Sequence, residues 1–344
     1  MPYADAINAA LPVTDATLVR LASGRIAHAG LPVHALLREV GLPTSVMDHP
    51  EPVGAIQEAS FLELASRVLE DGLLGFHMAK ETDGRAFGPL HYLLASSADL
   101  GDALSKQAHY LPTVNRGLTC SVERPPSLLA LEFHTEGIDR DLCTQEIEFW
   151  ITSVLRMSRK LTTLELNPSR IEFRHEHRGD ISEMRDYFGR TPVFQAERDS
   201  IVFDDQVAGL PLMQTDPYLN AFLTRFHDEL LTRSVSESNS IAVRVASLLT
   251  PLLAQGQGNV TLVATTLGMS ARTLGRRLAG EGVSFRSILD QLRADLALRY
   301  VRDTTMPVSQ IAWRLGYRDP SAFIVAFKRW TGRVPLAVRR ESRA

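Results

Sequence analysis

The sequence predicts an α+β domain followed by an all-α domain, and three observations carry that expectation. Apolar residues recur with both helical and strand periods over residues 1–232, but with a helical period alone over 241–344. A polar, Ser-rich stretch, TRSVSESNS, lies between them and reads as a flexible linker over 233–240. Charge divides nearby: residues 256–344 hold 15 Lys and Arg against 6 Asp and Glu, a net of +9, whereas residues 1–255 hold 22 against 34, a net of −12. The whole-chain net charge of −3 conceals this split. A length of 344 residues suits two or three domains of about 150 residues each.

Composition removes several classes. Hydrophobic residues at 44% and charged residues at 22% belong to a globular chain, neither disordered nor collagen-like. No run approaches the ~20 apolar residues of a membrane span, so no membrane partner is expected. Residues 1–10 lack the basic start and apolar run of a secretory signal. Cys120 and Cys143 are too few for a disulfide framework, and a reducing cytoplasm fits them; they read as a redox pair or as two buried thiols.

In the first domain, residues 18–29, 33–40, 57–70 and 99–110 have the apolar spacing of helices. AFGPLHYLLA (86–95) predicts a buried helix. Residues 118–123, 128–134, 171–177 and 193–203 alternate or cluster Val, Ile, Phe and Thr and predict strands. A helix over 145–161 would turn Ile147, Trp150, Ile151, Val154 and Leu155 inward, and another over 181–188 would start at Asp180. The strands are not the many short, even ones of a jelly roll.

The second domain opens with a helix over 241–254 and a break at QGQGN (255–259). TLVATTLG then places Leu262, Val263, Ala264 and Leu267 on one face, with Gly268 suited to a left-handed helix end. Ser270 is a natural N-cap for a helix over 271–279. Leu274 and Leu278 face inward there; Arg272, Thr273 and Arg276 face outward, with Arg277 at the border. The pattern then returns. MPVSQIAWRLG carries Val308, Ile311, Ala312 and Leu315 and ends at Gly316, Asp319 caps the next helix, and Pro320 takes its first position. Phe323, Phe327 and Trp330 form the inner stripe, opposite Ser321, Ile324, Val325 and Lys328. Leu267-Gly268, Leu274, Leu278 and Glu281-Gly282 match Leu315-Gly316, Phe323, Phe327 and Thr331-Gly332 at a shift of about 49 residues, an internal repeat. A long helix over 285–302, with Ile288, Leu292, Leu296 and either Tyr300 or Val301 inside, would hold the two units rigidly apart.

Each unit (261–280 and 307–331) is a helix, a tight turn and a second helix, the arrangement that lays a helix in the major groove of double-stranded DNA. Two such helices on one body can enter successive grooves, roughly 34 Å apart. A basic surface alone would equally be a solvated one; the Arg-rich outer face of 271–279 favours DNA.

The strings SARTLGRRLAGEGVSF and VSQIAWRLGYRDPSAFIVAFKRWTGRVP resemble the double helix-turn-helix domain of AraC/XylS-type bacterial transcription regulators over about 100 residues. That resemblance implies groove-facing roles for Arg272, Thr273 and Arg276, and for Ser321, Ile324 and Val325. It makes Arg277, Lys328 and Arg329 phosphate clamps. The family often has a polar residue and then Arg where this chain has Ile324-Val325. Aliphatic side chains can at most touch thymine methyls, so most direct readout is expected from the first unit, with positioning from the second.

FRHEHRGDISEMRDYFGRTPVFQAERDSIVFDD and LPLMQTDPYL resemble the N-terminal domain of the OruR/VirS-like regulators, which implies effector sensing or dimerisation rather than the sugar-binding barrel of the family's namesake. Within this domain, His91, Tyr92, His109 and Tyr110 cluster on apolar helical segments, as a pocket or as satisfied core groups, and Trp150 joins them as an effector-site candidate. His175 and His177 share a predicted strand face with Phe173, which is either structural or a metal pair without a third ligand at a telling spacing. The expected function is a sequence-specific transcription regulator of the cytoplasm and nucleoid. Its expected partners are promoter DNA, a small-molecule effector, RNA polymerase and a second copy of the chain, with no catalytic residue, metal or cofactor. The rival reading is an enzyme or metal-binding domain in the first domain with an accessory DNA-binding module.

Overall fold

The computed structural model describes residues 12–48, 51–238, 241–254, 258–303 and 306–341. They fall into two compact units, Pro12–Val235 and a second from Ser236 onward.

The first unit is helices around one small sheet. Its helices are α1 (Thr17–His28), α2 (Val33–Glu39), α3 (Ala55–Val68), α4 (Leu74–Glu81), α5 (Pro89–Ala95), α6 (Leu100–Tyr110), α7 (Thr144–Thr162), α8 (Ser182–Phe188) and the start of α9 (Pro217–Ser238). A two-residue pair, β1 (Val13–Thr14) and β2 (Val53–Gly54), precedes the sheet formed by β3 (Leu118–Glu123), β4 (Leu128–Thr135), β5 (Arg170–Glu172) and β6 (Asp199–Asp204). The sheet order is β3-β4-β6-β5, every pair antiparallel. Side chains alternate between faces, so Leu131 of β4, Ile201 of β6 and Ile171 of β5 align in one register on the core side and are buried. The same alternation places Asp199 beside Phe133 on that side.

Helix α7 is the centre of the unit. Gln145 to Thr152 are buried without interruption, the mark of a helix surrounded by protein. Helix α4 meets its first turn at Gly75, where a Cβ would stand 1.9 Å from the Gln145 carbonyl oxygen. The Gly75 N–H donates instead to Gln145 Oε1 at 2.8 Å.

Two predicted strands are shorter than expected. After Glu172 the chain leaves the sheet: the Phe173 N–H donates to Val193 O and the Gln195 N–H to His175 O, in a bent loop pairing. Gln195 takes a left-handed φ of 55°, which no regular strand accommodates. Residues 173–177 and 193–198 therefore frame the sheet edge rather than extend it. The predicted linker also differs. Helix α9 continues through Ser238, because TRSVSES contains neither Gly nor Pro to stop it; residues 239 and 240 lie outside the described residues.

The second unit is all helical: α10 (Ile241–Ala254), α11 (Val260–Thr266), α12 (Ala271–Gly280), α13 (Phe285–Asp303), α14 (Val308–Arg314), α15 (Pro320–Thr331) and α16 (Pro335–Glu341). Of the predicted break, residues 255–257 lie outside the described residues, and Asn259 caps α11 by accepting from the Leu262 N–H. Leu262 is exposed, contrary to its predicted inward place, while Val263 and Ala264 are buried. Helix α13 buries Ile288, Leu292, Leu296 and, of the two candidates at its end, Val301. Arg293 ties it to the second repeat, donating to Leu315 O at 2.9 Å and lying over the Tyr317 ring.

Candidate nucleic-acid interface and ligand cavity

The repeat read from the sequence is a repeat of backbone chemistry. Helix α11 ends with Gly268 at φ 69°, and the Met269 N–H returns to Ala264 O; α14 ends with Gly316 at φ 77°, and the Tyr317 N–H returns to Ala312 O. Both closures satisfy carbonyls the helix leaves open, and both need a residue tolerant of the left-handed region. Each turn then supplies a cap: Ser270 Oγ accepts from the Thr273 N–H at 3.1 Å, and Asp319 Oδ1 from the Ser321 N–H at 3.0 Å. Leu274 and Leu278 of α12 and Phe323 and Phe327 of α15 are fully buried. Glu281 locks the first helix-turn-helix to α10, its two carboxylate oxygens accepting from the Ile241 and Ala242 N–H groups at a helix N-terminus, where negative charge is favoured.

The outward faces differ. Arg272, Arg276 and Arg277 are exposed on α12. Thr273 is half-buried and its hydroxyl shares a hydrogen bond with Ser270 Oγ, so it helps cap the helix. On α15, Ser321, Ile324, Val325 and Lys328 are exposed, Val325 by 70%. Arg329, expected as a phosphate clamp, donates to Asp290 Oδ2 at 3.0 Å and braces α15 against α13. Arg318, in the turn before α15, is exposed and was missed because turn residues carry no periodicity. So was Trp313, 69% exposed on α14.

In the first unit, His91 and Trp150 line one cavity of about 190 Å³. The other two candidates do not reach it: Tyr92 is 46% exposed, and His109 is exposed on α6. Tyr110 points elsewhere, donating to Asp228 Oδ1 at 2.7 Å. The walls are Phe87, Leu90, Leu94, Met157 and Leu161, joined by Gln107, Arg156 and Lys160. Met157 and Leu161 lie on the Trp150 stripe of α7, at i+7 and i+11, while Arg156 and Lys160 flank it, so the spacing did not mark the two cations. Burial lowers the His91 pKa, leaving the ring neutral near pH 7.

Among the described residues no group of three or more His, Cys, Asp or Glu side chains could hold a metal ion. His175 belongs to a buried polar chain instead. Arg140 makes two hydrogen bonds to the Asp199 carboxylate and donates to His175 Nδ1 at 3.1 Å. Since Arg only donates, His175 carries its proton on Nε2 and gives that bond to Glu148 Oε1 at 2.9 Å. Burial, with Arg140 adjacent, pushes His175 down to about 4, and burial pushes Glu148 up to about 8. Burial likewise pushes Glu146 and Glu63 up to about 7. Glu58 is also raised, by burial and by neighbouring Glu146. No disulfide joins Cys120 and Cys143, and burial pushes Cys120 up to about 12, so its reactive thiolate is scarce.

Two repeated helix-turn-helix units beside a separate α+β unit with its own cavity define a DNA-binding transcription regulator. Residues 30–212 match the model of the arabinose-binding N-terminal domain of AraC transcription regulators, and residues 263–341 match a helix-turn-helix domain. The chain belongs to the AraC family, with an N-terminal domain of the VirS/OruR type. It is 28% identical over 296 residues to the HTH-type transcriptional regulator VirS of Mycobacterium tuberculosis, covering 82% of this chain and 86% of that one. It is 24% identical over 330 residues to the ornithine utilization regulator of Pseudomonas aeruginosa, covering 91% and 92%. The crystal structure of the transcriptional regulator CdpR of Pseudomonas aeruginosa aligns over 83% of this chain and 96% of that one, at 22% identity and a TM-score of 0.39. The relatives named are transcriptional regulators, and no described helix is long and apolar enough to cross a membrane.

Proposed function

We propose that the protein reads promoter DNA chiefly through α12 and is switched by a small molecule in the first unit, without catalysing a reaction. The observation that carries this is the exposed triad Arg272, Arg276 and Arg277 on a rigidly capped helix. The repeat-related face of α15 offers Ile324 and Val325 instead. Arg272 and Arg276 read base edges, Thr273 sets the helix start, and Arg277 and Lys328 hold phosphates. Ser321, Ile324 and Val325 lie against the second groove, and Arg318 adds a phosphate contact that replaces the one expected of Arg329.

The effector and dimerisation domain runs over 1–232, the junction over 233–240 and the DNA module over 241–344. The cavity supports effector control, and an effector shifts the regulator only by binding its DNA-competent state better than the other. The protein acts at the nucleoid in the cytoplasm, as a homodimer, with RNA polymerase as its partner at the promoter. A gel shift on the chain's own upstream region, at two salt concentrations, tests the DNA reading. Affinity should fall steeply with salt as arginines displace counterions; salt-insensitive binding, or none, would reject it.

A further inference from the structure

We infer that the cavity of the first unit takes a neutral, apolar molecule the size of one substituted ring. This rests on the effector reading above and names the ligand class. The first observation is a void that the sequence leaves open. Protein cores pack with few gaps larger than a water, and the walls of a larger gap forgo contacts they would otherwise make. Here about 190 Å³ stays unfilled beside Leu90, Leu94 and Trp150, which are 3%, 5% and 4% exposed. Three small residues keep it so: Ala79 on α4, Gly84 before α5 and Ser153 on α7. Ser153 stands one turn on from Trp150, where a leucine would close much of the space. The cavity also has a way in, since Ser153 and Met157 are half-buried and Lys160 is exposed on that side of α7.

The second observation is that the walls hold no charge in reserve for a guest. Trp150 presents ring carbon alone, because its indole N–H is sealed within the protein, as is Gln107 Oε1. Arg156 already donates to the Lys80 and Glu81 carbonyl oxygens, and Asp83 is bound by the Arg85 guanidinium. The Thr82 hydroxyl donates to Met78 O at 2.7 Å. Burial keeps His91 neutral near pH 7, and Lys160 is exposed, so water already answers its charge. An ion entering this cavity would give up its hydration for a wall with no buried counter-charge, a cost that a neutral molecule avoids. Size then sets the guest. A dry cavity of about 150 Å³ lined by Leu, Ile and Phe takes up benzene, so 190 Å³ admits a ring with a methyl or ethyl group. The Phe87 and Trp150 rings in its wall, 5.2 Å apart and tilted by 44°, suit an aromatic one.

Calorimetry on the full chain with toluene, benzoate and benzylamine, one ring in three charge states, tests this. Toluene should bind at least tenfold tighter than either ion. Ser153→Leu should weaken toluene at least tenfold without lowering the thermal midpoint of the free chain. Iodobenzene, a heavy-atom quencher, should dim the tryptophan fluorescence of the wild type, and Trp150→Phe should remove that quenching, which locates the ring even if Ser153→Leu does not fold. An ion binding as tightly as toluene, no toluene binding, or quenching that survives Trp150→Phe overturns the ligand class. The two readings fail differently. If toluene binds as expected but leaves DNA affinity unchanged in a gel shift, the ligand class stands and the effector reading falls. If no neutral ring binds and a charged metabolite stabilises the chain in a thermal-shift panel, the effector reading survives without this ligand class.

Discussion

The two units handle charge in opposite ways. The first buries it: Glu146 and Glu148 are fully inaccessible, Glu58 and Asp199 are 1% exposed, and Arg140 and His175 link Asp199 to Glu148 by hydrogen bonds. The second displays it, with Arg272, Arg276 and Arg277 standing in solvent on α12. Buried charge must be answered from within, by a partner or by a proton, because the interior does not solvate it. Displayed charge leaves its answer to a molecule outside the chain. The same residue types thus serve fold in one unit and recognition in the other, and mutation should separate the two uses.

The largest effect is expected at Arg140. Arg140→Ala leaves the Asp199 carboxylate buried without its cation, which typically costs about 3–5 kcal/mol. Urea denaturation should show that loss, while Arg276→Ala should leave the midpoint unchanged. Equal losses in both variants would erase the contrast. Arg276→Ala should instead cost about 1–3 kcal/mol of DNA affinity, concentrated at one base pair. A binding-site selection that stays as specific as wild type would remove Arg276 from the interface.

The buried acids also give the first unit a pH dependence with a fixed sign. Glu148 is raised from 4.5 to about 8, so the folded unit keeps a proton that the unfolded chain releases. That contribution is complete below about pH 4.5 and is lost as pH rises through about 8. His175 runs the other way: lowered from 6.5 to about 4, it contributes fully above 6.5 and loses that as pH falls through about 4. Between pH 6.5 and 8 the buried carboxyls and His77, raised by its hydrogen bond to Asp71, act in the same direction, and stability should fall by up to about 1.4 kcal/mol per pH unit for each proton released. Glu148→Gln should flatten the thermal midpoint across this window; an unchanged slope would mean that Glu148 is ionised in the fold.

Legibility in the sequence followed the range of the interactions. The second unit's caps, turns and inward leucines are local, so Gly268, Ser270, Asp319 and Pro320 could be read from neighbours a few residues away. Most helices of the first unit were legible for the same reason. The chain linking Arg140, Glu148, His175 and Asp199 bonds partners 27, 35 and 59 residues apart in sequence, and no spacing announces it. His175 and His177 consequently read as a strand pair, when the left-handed Gln195 had ended the strand. His91 and Trp150 proved to share a cavity, but Tyr92 and His109 fall outside it, since apolar clustering does not say which way a helix turns.

The smallest expected effects decide how the two helix-turn-helix repeats divide the work. Arg277→Ala and Lys328→Ala should each lower the salt slope of DNA binding by about 1. Arg329→Ala should not, because Asp290 already holds that guanidinium, and the exposed pair should contribute only about 0–1 kcal/mol to stability. Val325→Ala removes two methyl groups from a side chain 70% exposed and should change affinity by no more than a few tenths of a kcal/mol. Val325→Arg is the sharper variant. The position sits on the outer face of a helix whose inner stripe, Phe323 and Phe327, is untouched, so the fold should tolerate it. An added guanidinium there should raise the salt slope by about 1 and tighten binding without sharpening specificity. If the slope stays fixed, α15 does not approach the backbone of the second groove, and recognition rests on α12 alone.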